Sequence, residues 1–349
     1  MPDVSRRNFL KAAGTSTAIL ASGFPLSSIA LETARLNSPF RVAVITDEIS
    51  QDFDHACSVA ANDFGMEWVE LRALWGKNIS TLGDDDVSRA KAILLKYKLR
   101  VTDIASPLFK VDWPGAPRSK YSPKADPKTL SYGADFAFKE QQNVLEKCIA
   151  LAKDFKTERI RCFDFWRLDD QAPYREAINA KLREAAEFAG KHSILLVLEN
   201  EYECNTATGR ESAKTLAAVQ TPHLKLNWDP GNAVARGELD AFPAGWDLIP
   251  KDRIGHCHVK CAVSKPDKPS GFEWAAVGQG IPNWTAQFKA LKKIGYHSAV
   301  SLETHWSGGG TPEASTRTSW AGMKNALEKS GTLLPSTVPG DWPKIDMQG

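Results

Sequence analysis

From Phe40 onward the chain alternates short apolar, β-branched runs with helical patterns, and this alternation restricts its fold more than any other feature. The runs are "RVAVITDE" (41–48), "WVELRAL" (68–74), "LRVTDIAS" (99–106), "RIRCFDFW" (159–166), "SILLVLEN" (193–200), "HLKLNWDP" (223–230), "RIGHCHVK" (253–260) and "SAVSLETH" (298–305). Helical spacing fills the gaps: Phe53, Ala56, Ala60 and Phe64 share one face before Gly65, a stop residue. Asp84–Asp86 can cap a helix carrying Val87, Ala90, Leu94 and Tyr97, and residues 135–155, 172–190 and the stretch "WTAQFKALKKIGY" ending at Gly295 read as further amphipathic helices. Strands alternating with helices imply a parallel sheet, and eight of them fit an α/β fold of one domain, a closed (β/α)8 TIM barrel over residues 31–334. An open doubly wound sheet is the other arrangement, but it usually carries a Gly-rich phosphate loop after its first strand, and "ITDEISQDF" has none.

Two long connections follow strands and so belong at the strand C-terminal ends. Residues 107–134 carry five prolines and Trp113, and residues 261–282 carry "SKPDKPSG" and "GQG". Residues 335–349 form a Pro-containing C-terminal tail expected to wrap the surface. The first 30 residues read as a targeting segment. "SRRNFLK" precedes the weakly apolar "AAGTSTAILASGFPL", and Ser28-Ile29-Ala30 offers a small-x-small cleavage site. This resembles a twin-arginine export signal and implies a periplasmic or otherwise exported protein, without stable membrane insertion. The formal charge of +2 falls to zero without residues 1–30, which hold three basic residues and one acidic. No basic field for nucleic acid is present. The six cysteines are scattered without a CxxC pair, which argues against a disulfide framework.

The strand ends are polar where a barrel core should be apolar. Glu199 ends "SILLVLEN", Asp229 ends "LKLNWDP", His258 lies near the end of "IGHCHVK", and Glu303 ends "AVSLETHW". On a strand, successive side chains point to opposite faces. Leu195, Val197 and Glu199 then share a face, as do Asn227 with Asp229, Ser301 with Glu303, and His256 with His258 and Lys260. Cys257, Val259 and Cys261 take the other face, which separates the cysteines from the histidines as ligands. Strands five to eight can thus aim three carboxylates and an imidazole at one point, a donor set suited to a divalent cation; without one, the carboxylates would raise one another's pKa. Helix caps or salt bridges are the plainer role for each carboxylate taken singly.

These stretches resemble the xylose-isomerase-like TIM-barrel superfamily, in its sugar (phosphate) isomerase/epimerase branch. The matching segments are "ITDEIS" with "FGMEWVELR", then "LENE", "NWDPGN", "HCHVK", "GQGIPNW" and "GYHSAVSLETHW", over about residues 40–330. The resemblance implies that Glu199, Asp229, His258 and Glu303 bind one divalent metal ion, with Mn²⁺ favoured and Mg²⁺, Co²⁺ or Zn²⁺ as alternatives. It assigns proton removal and return to Glu199 and Glu303, on opposite faces of a carbohydrate substrate, through an enediolate. His256, one pleat deeper, is expected to pack and hydrogen-bond behind the ligands.

The chain departs from the sugar-epimerase pattern at two places. Asn232 stands where several epimerases carry a histidine three residues after the metal aspartate, and Asn cannot carry a proton near neutral pH. Lys260, Cys261 and Ala262 follow His258 where free-sugar epimerases carry a Glu and an Arg. Asn232 and Lys260 are therefore expected to touch substrate, and Arg72, inward beside Glu70, either binds substrate or forms a core salt bridge. Trp113, Phe165 and Trp166 are candidates for stacking on a sugar, and His305 for a place beside the ligands. A small-molecule isomerase or epimerase is the leading reading. A lyase or hydratase acting on a 3-keto-glycoside or related keto-sugar, and a non-catalytic sugar-binding protein, are the alternatives. An abasic-site endonuclease of the same superfamily would need a basic groove that the charge balance denies. Homo-oligomerisation is left open.

Overall fold

The computed structural model describes residues 35–123 and 137–334, so the export signal at 1–30 and the tail at 335–349 lie outside the described residues. Eight parallel strands build one sheet: β1 (Arg41–Val44), β2 (Trp68–Leu71), β3 (Arg100–Ile104), β4 (Arg159–Cys162), β5 (Leu195–Glu199), β6 (Leu224–Trp228), β7 (Ile254–Val259) and β8 (Ala299–Leu302). Their order is β1-β8-β7-β6-β5-β4-β3-β2, and a parallel bridge between Ile45 and Glu70 brings the ends of the sheet together. The result is a TIM barrel, and the open-sheet alternative is excluded. Each strand is shorter than its apolar run. β1 stops at Val44 because Thr46–Glu48 turn into a single 3₁₀ turn, and β2 is interrupted by a register shift between Val69 and Leu71. At this end the chain leaves the ladder, so polar side chains reach the barrel mouth.

The helices cover the outside of the barrel. α1 (Phe53–Ser58) runs into a wider turn over Val59–Asp63, and Phe53, Ala56, Ala60 and Phe64 are all buried against the sheet. α2 (Asp84–Lys96) follows, with Asp86 accepting from the Gly83 amide at 3.3 Å. Then come α3 (Gln141–Asp154), α4 (Arg175–Gly190), α5 (Gly209–Ala218), α6 (Pro230–Ala235), α7 (Trp284–Lys293) and α8 (Pro312–Ser330). Among the described residues no helix is long and apolar enough to cross a membrane. All six cysteines are free and buried.

One connection differs from expectation. Residues 261–282 are not simply a loop: Cys261–Lys265 and Gly271–Ala275 form an antiparallel hairpin pairing Ala262 with Trp274 and Ser264 with Phe272. The turn segment "SKPDKPSG" hides the alternation of apolar and polar residues on either side; Gly271 sits at φ 76°, which a glycine tolerates. The hairpin packs on α6.

Candidate active site

Register places the ligand candidates. Glu199 pairs with Asn227 across β5 and β6, and Asn227 with His256 across β6 and β7. Trp228 then pairs with Cys257, which sets Asp229 level with His258, while His258 pairs with Ser301 on β8. Two residues further on, Glu303 comes level with Lys260. Period-2 alternation therefore sends His256, His258 and Lys260 inward and leaves Cys257 and Val259 in the apolar cluster.

Glu199, Asp229, His258 and Glu303 each offer a ligand atom, all within 4.8 Å of one another, and all four residues are buried. His258 Nδ1 lies 3.2 Å from Glu303 Oε2, 3.3 Å from Glu199 Oε1 and 4.0 Å from Asp229 Oδ2. Each carboxylate is anchored through its other oxygen. Arg161 Nη1 donates to Glu199 Oε2 at 3.2 Å, Arg72 Nη1 to Glu303 Oε1 at 2.9 Å, and the Asn232 amide to Asp229 Oδ1 at 2.8 Å. His258 Nδ1 is buried without a hydrogen-bond partner, and the inner oxygens Asp229 Oδ2 and Glu303 Oε2 are met by the Lys260 ammonium at 2.9 and 2.6 Å. An unpartnered nitrogen among three converging carboxylates in a dry interior is costly, and a divalent cation bound to three oxygens and one nitrogen would satisfy it and compensate the acidic charge. The residues present fit such an ion.

Behind this cluster, Glu70 holds both histidines. Its Oε1 lies 2.9 Å from His258 Nε2 and its Oε2 3.1 Å from His256 Nε2. A hydrogen bond donated from His258 Nε2 fixes the tautomer that leaves Nδ1 as the free lone pair at the cluster. Burial opposes ionisation of Glu70, but His258 and His256 outweigh it and hold its carboxyl well below the usual range. Beside them Asp103 is pushed up to about 7, first by burial and then by the Glu70 carboxylate. His256 thus hydrogen-bonds Glu70 one pleat below the cluster.

The residues expected to touch substrate are engaged within the protein. Lys260 is fully buried, with Nζ 2.6 Å from Glu303 Oε2 and 2.9 Å from Asp229 Oδ2. Burial disfavours its charge, but Asp229 and Glu303 hold its pKa well above the ordinary lysine value. Asn232 Nδ2 donates to Glu199 Oε1 at 3.0 Å. Arg72 bridges Asp47, Glu48 and Glu303 at 2.7–2.9 Å, the salt-bridge option of its two expected roles. His305 Nε2 lies 3.2 Å from Glu303 Oε1. Phe165 is fully buried, its ring 4.8 Å from that of Trp113, so it packs beneath the mouth and has no face for a sugar. The sequence reading missed Arg161 and the role of Glu70. Arg161 carried a usable signal, since alternation in "RIRCFDFW" puts a charge inward in mid-strand.

The family described as xylose isomerase-like TIM barrel matches residues 59–326. No curated protein sequence matches the chain. Among solved structures, the IOLI protein with a binding zinc atom is similar at TM-score 0.62 and 15% identity, over 84% of this chain and 99% of that one. The probable 3-DHS dehydratase AsbF of Bacillus anthracis is similar at TM-score 0.59 and 20% identity, over 82% and 98%. D-psicose 3-epimerase of Clostridium cellulolyticum H10, with D-tagatose, is similar at TM-score 0.57 and 16% identity, over 84% and 99%.

Proposed function

Because the chain belongs to the xylose isomerase-like TIM barrel family, we propose that it is a metal-dependent isomerase or epimerase of a sugar or sugar derivative, moving a proton next to a carbonyl. The observation that carries this reading is the pair Glu199 and Glu303. They end β5 and come just after β8, three strands apart around the mouth, yet both turn a carboxylate oxygen to one shared point with His258 and Asp229. A divalent cation held by these four, Mn²⁺ in this proposal, would polarise the carbonyl and adjacent hydroxyl of the sugar as a Lewis acid. Glu199 takes the proton from one face of the sugar and Glu303 returns it from the other, or the reverse. Inverting a centre needs such a pair, since one base with no acid opposite it cannot deliver a proton to the far face. Arg161 and Arg72 hold the outer oxygens of the two glutamates, so each inner oxygen is oriented before substrate arrives. Asn232 donates to Glu199 and carries no proton itself.

One observation favours a second reading, elimination from a keto-sugar. The Lys260 ammonium lies 2.6 Å from Glu303, placed to hydrogen-bond an oxygen leaving from the carbon next to the deprotonated one. A similar structure is named as a probable dehydratase. Incubating Mn²⁺-loaded protein in D₂O with free sugars and 3-keto-glycosides separates the readings. Deuterium in an intact sugar supports epimerisation or isomerisation, and release of the glycosidic substituent supports elimination. A sugar that binds without either change would reduce the protein to a sugar-binding module. We further propose delivery by the twin-arginine route, from "SRRNFLK"; replacing Arg6 and Arg7 with lysine is expected to retain the protein in the cytoplasm, and unchanged export would contradict it.

A further inference from the structure

The hairpin after β7 carries aromatic side chains to the edge of the cation site. Trp274 lies with its ring 5.1 Å from Lys260 Nζ and 5.1 Å from the ring of His305. It therefore stands over two residues that themselves contact Glu303. Phe272 packs against Trp274 at 4.9 Å, and Tyr202, from the loop after β5, closes a triangle at 5.2 Å from Phe272 and 5.7 Å from Trp274. All three are only partly buried. His305, the residue against Trp274, is held at φ 44°, a left-handed conformation that costs a non-glycine residue free energy. Next in the chain to Tyr202, Glu201 is buried and keeps Oε1 without a hydrogen-bond partner.

The charged groups around the cation point account for a carbonyl and its neighbouring hydroxyls. They leave the aromatic triangle and the Glu201 oxygen unused. An aromatic surface beside a site for oxygens is suited to the C–H face of a sugar or to another aromatic ring, and an unpartnered carboxylate oxygen to a hydroxyl. The triangle begins at Trp274, next to the ligands, and extends outward through Phe272 and Tyr202. Phe272 and Tyr202 thus extend the aromatic surface past the ring that stands beside the cation point. We infer that Tyr202, Phe272 and Trp274 form a ring-stacking subsite, and that the substrate is a keto-glycoside, a sugar ring bearing a ketone for the proton transfer and a second ring through its glycosidic oxygen. The inference rests on the sugar-modifying function proposed above and names its substrate class.

Isothermal titration of Mn²⁺-loaded protein tests it, with methyl glucosides, phenyl glucosides, maltose and cellobiose, both anomers of each glucoside being used. At least one ring-bearing ligand is expected to bind about tenfold more tightly than its methyl counterpart, the size of one good aromatic contact. Preference for the phenyl glucosides identifies an aromatic aglycone, and preference for a disaccharide identifies a second sugar. In Trp274→Ala, checked for an unchanged Mn²⁺ content, the ratio of the two Kd values is expected to fall to about one. Methyl and ring-bearing ligands binding equally to the unaltered protein would overturn the inference while leaving the sugar function standing, as would a preference that survives in Trp274→Ala. Mn²⁺ loading with no binding of any of these glycosides would overturn the inference, and the sugar function would then be decided by the incubation in D₂O described above.

Discussion

The two ends of the barrel carry charge in opposite ways. At the floor, where the strands begin, a cavity of about 340 Å³ is lined by Arg41, Arg159, Lys225 and Lys251. These long side chains lay their stems over apolar surface and carry their charge to carbonyls, to water or, for Arg41 and Arg159, to the half-exposed Glu158 carboxylate. Arg159 Nε donates to the Gly255 carbonyl at 3.1 Å, Lys251 Nζ to that of Ile249 at 2.7 Å, and Arg41 stacks 4.8 Å from the Trp68 ring. At the mouth the acidic side chains cannot reach water and are met by cations of the protein itself, Lys260, Arg72 and Arg161. Glu199, Asp229 and Glu303 are buried, and His258 Nδ1 among them has no hydrogen-bond partner. Floor charges can be lost singly. Mouth charges are interdependent, because removing one leaves the others uncompensated in a dry interior.

Breaking the mouth is expected to have the largest effect. His258→Ala removes the one nitrogen of the cluster and should weaken Mn²⁺ binding, read by titration calorimetry, by more than about 100-fold, with activity falling alongside; a ligand must matter more than the groups that orient it. Glu70→Gln leaves all four ligands but loosens the tautomer of His258, so Mn²⁺ binding should weaken about 10- to 100-fold. Wild-type affinity in Glu70→Gln would show that Glu70 serves packing alone. At the floor, Arg159→Met should cost about 1 kcal/mol in denaturant unfolding and leave Mn²⁺ binding unchanged. Cys257→Ala, on the outward face of the same strand as His258, should cost on the order of 1 kcal/mol or less and keep the metal. A loss of metal in either of these last two variants would blur the division between the two ends.

The fold was legible in the sequence because the alternation of β-branched runs with helical spacing is local, and local periodicity survives without knowledge of tertiary contacts. The four ligand candidates were legible for a related reason. A carboxylate or imidazole at the end of an apolar strand contradicts its surroundings, and alternation states which way it points. What stayed hidden depends on distant partners. Glu70 meets His256 and His258 from 186 and 188 residues away, and nothing next to it in the chain announces them. Alternation turns Lys260 inward but does not name its partner Glu303, 43 residues away. The hairpin at 261–275 reads from the sequence only as part of a long connection, because the prolines and glycine of its turn outweigh two strands of five residues each.

In the function proposed above, the buried charges of the mouth share one divalent cation. The described residues contain two other groups that could compete for it, Glu70 with His256 and His258, and Glu48 with Glu303 and His305. Anomalous diffraction from crystals loaded with Mn²⁺ separates the three directly. The account predicts one peak within ligating distance of Glu199, Asp229, His258 and Glu303 together. A peak at either competing group with none at the four, or no peak in the barrel at saturating Mn²⁺, would contradict it.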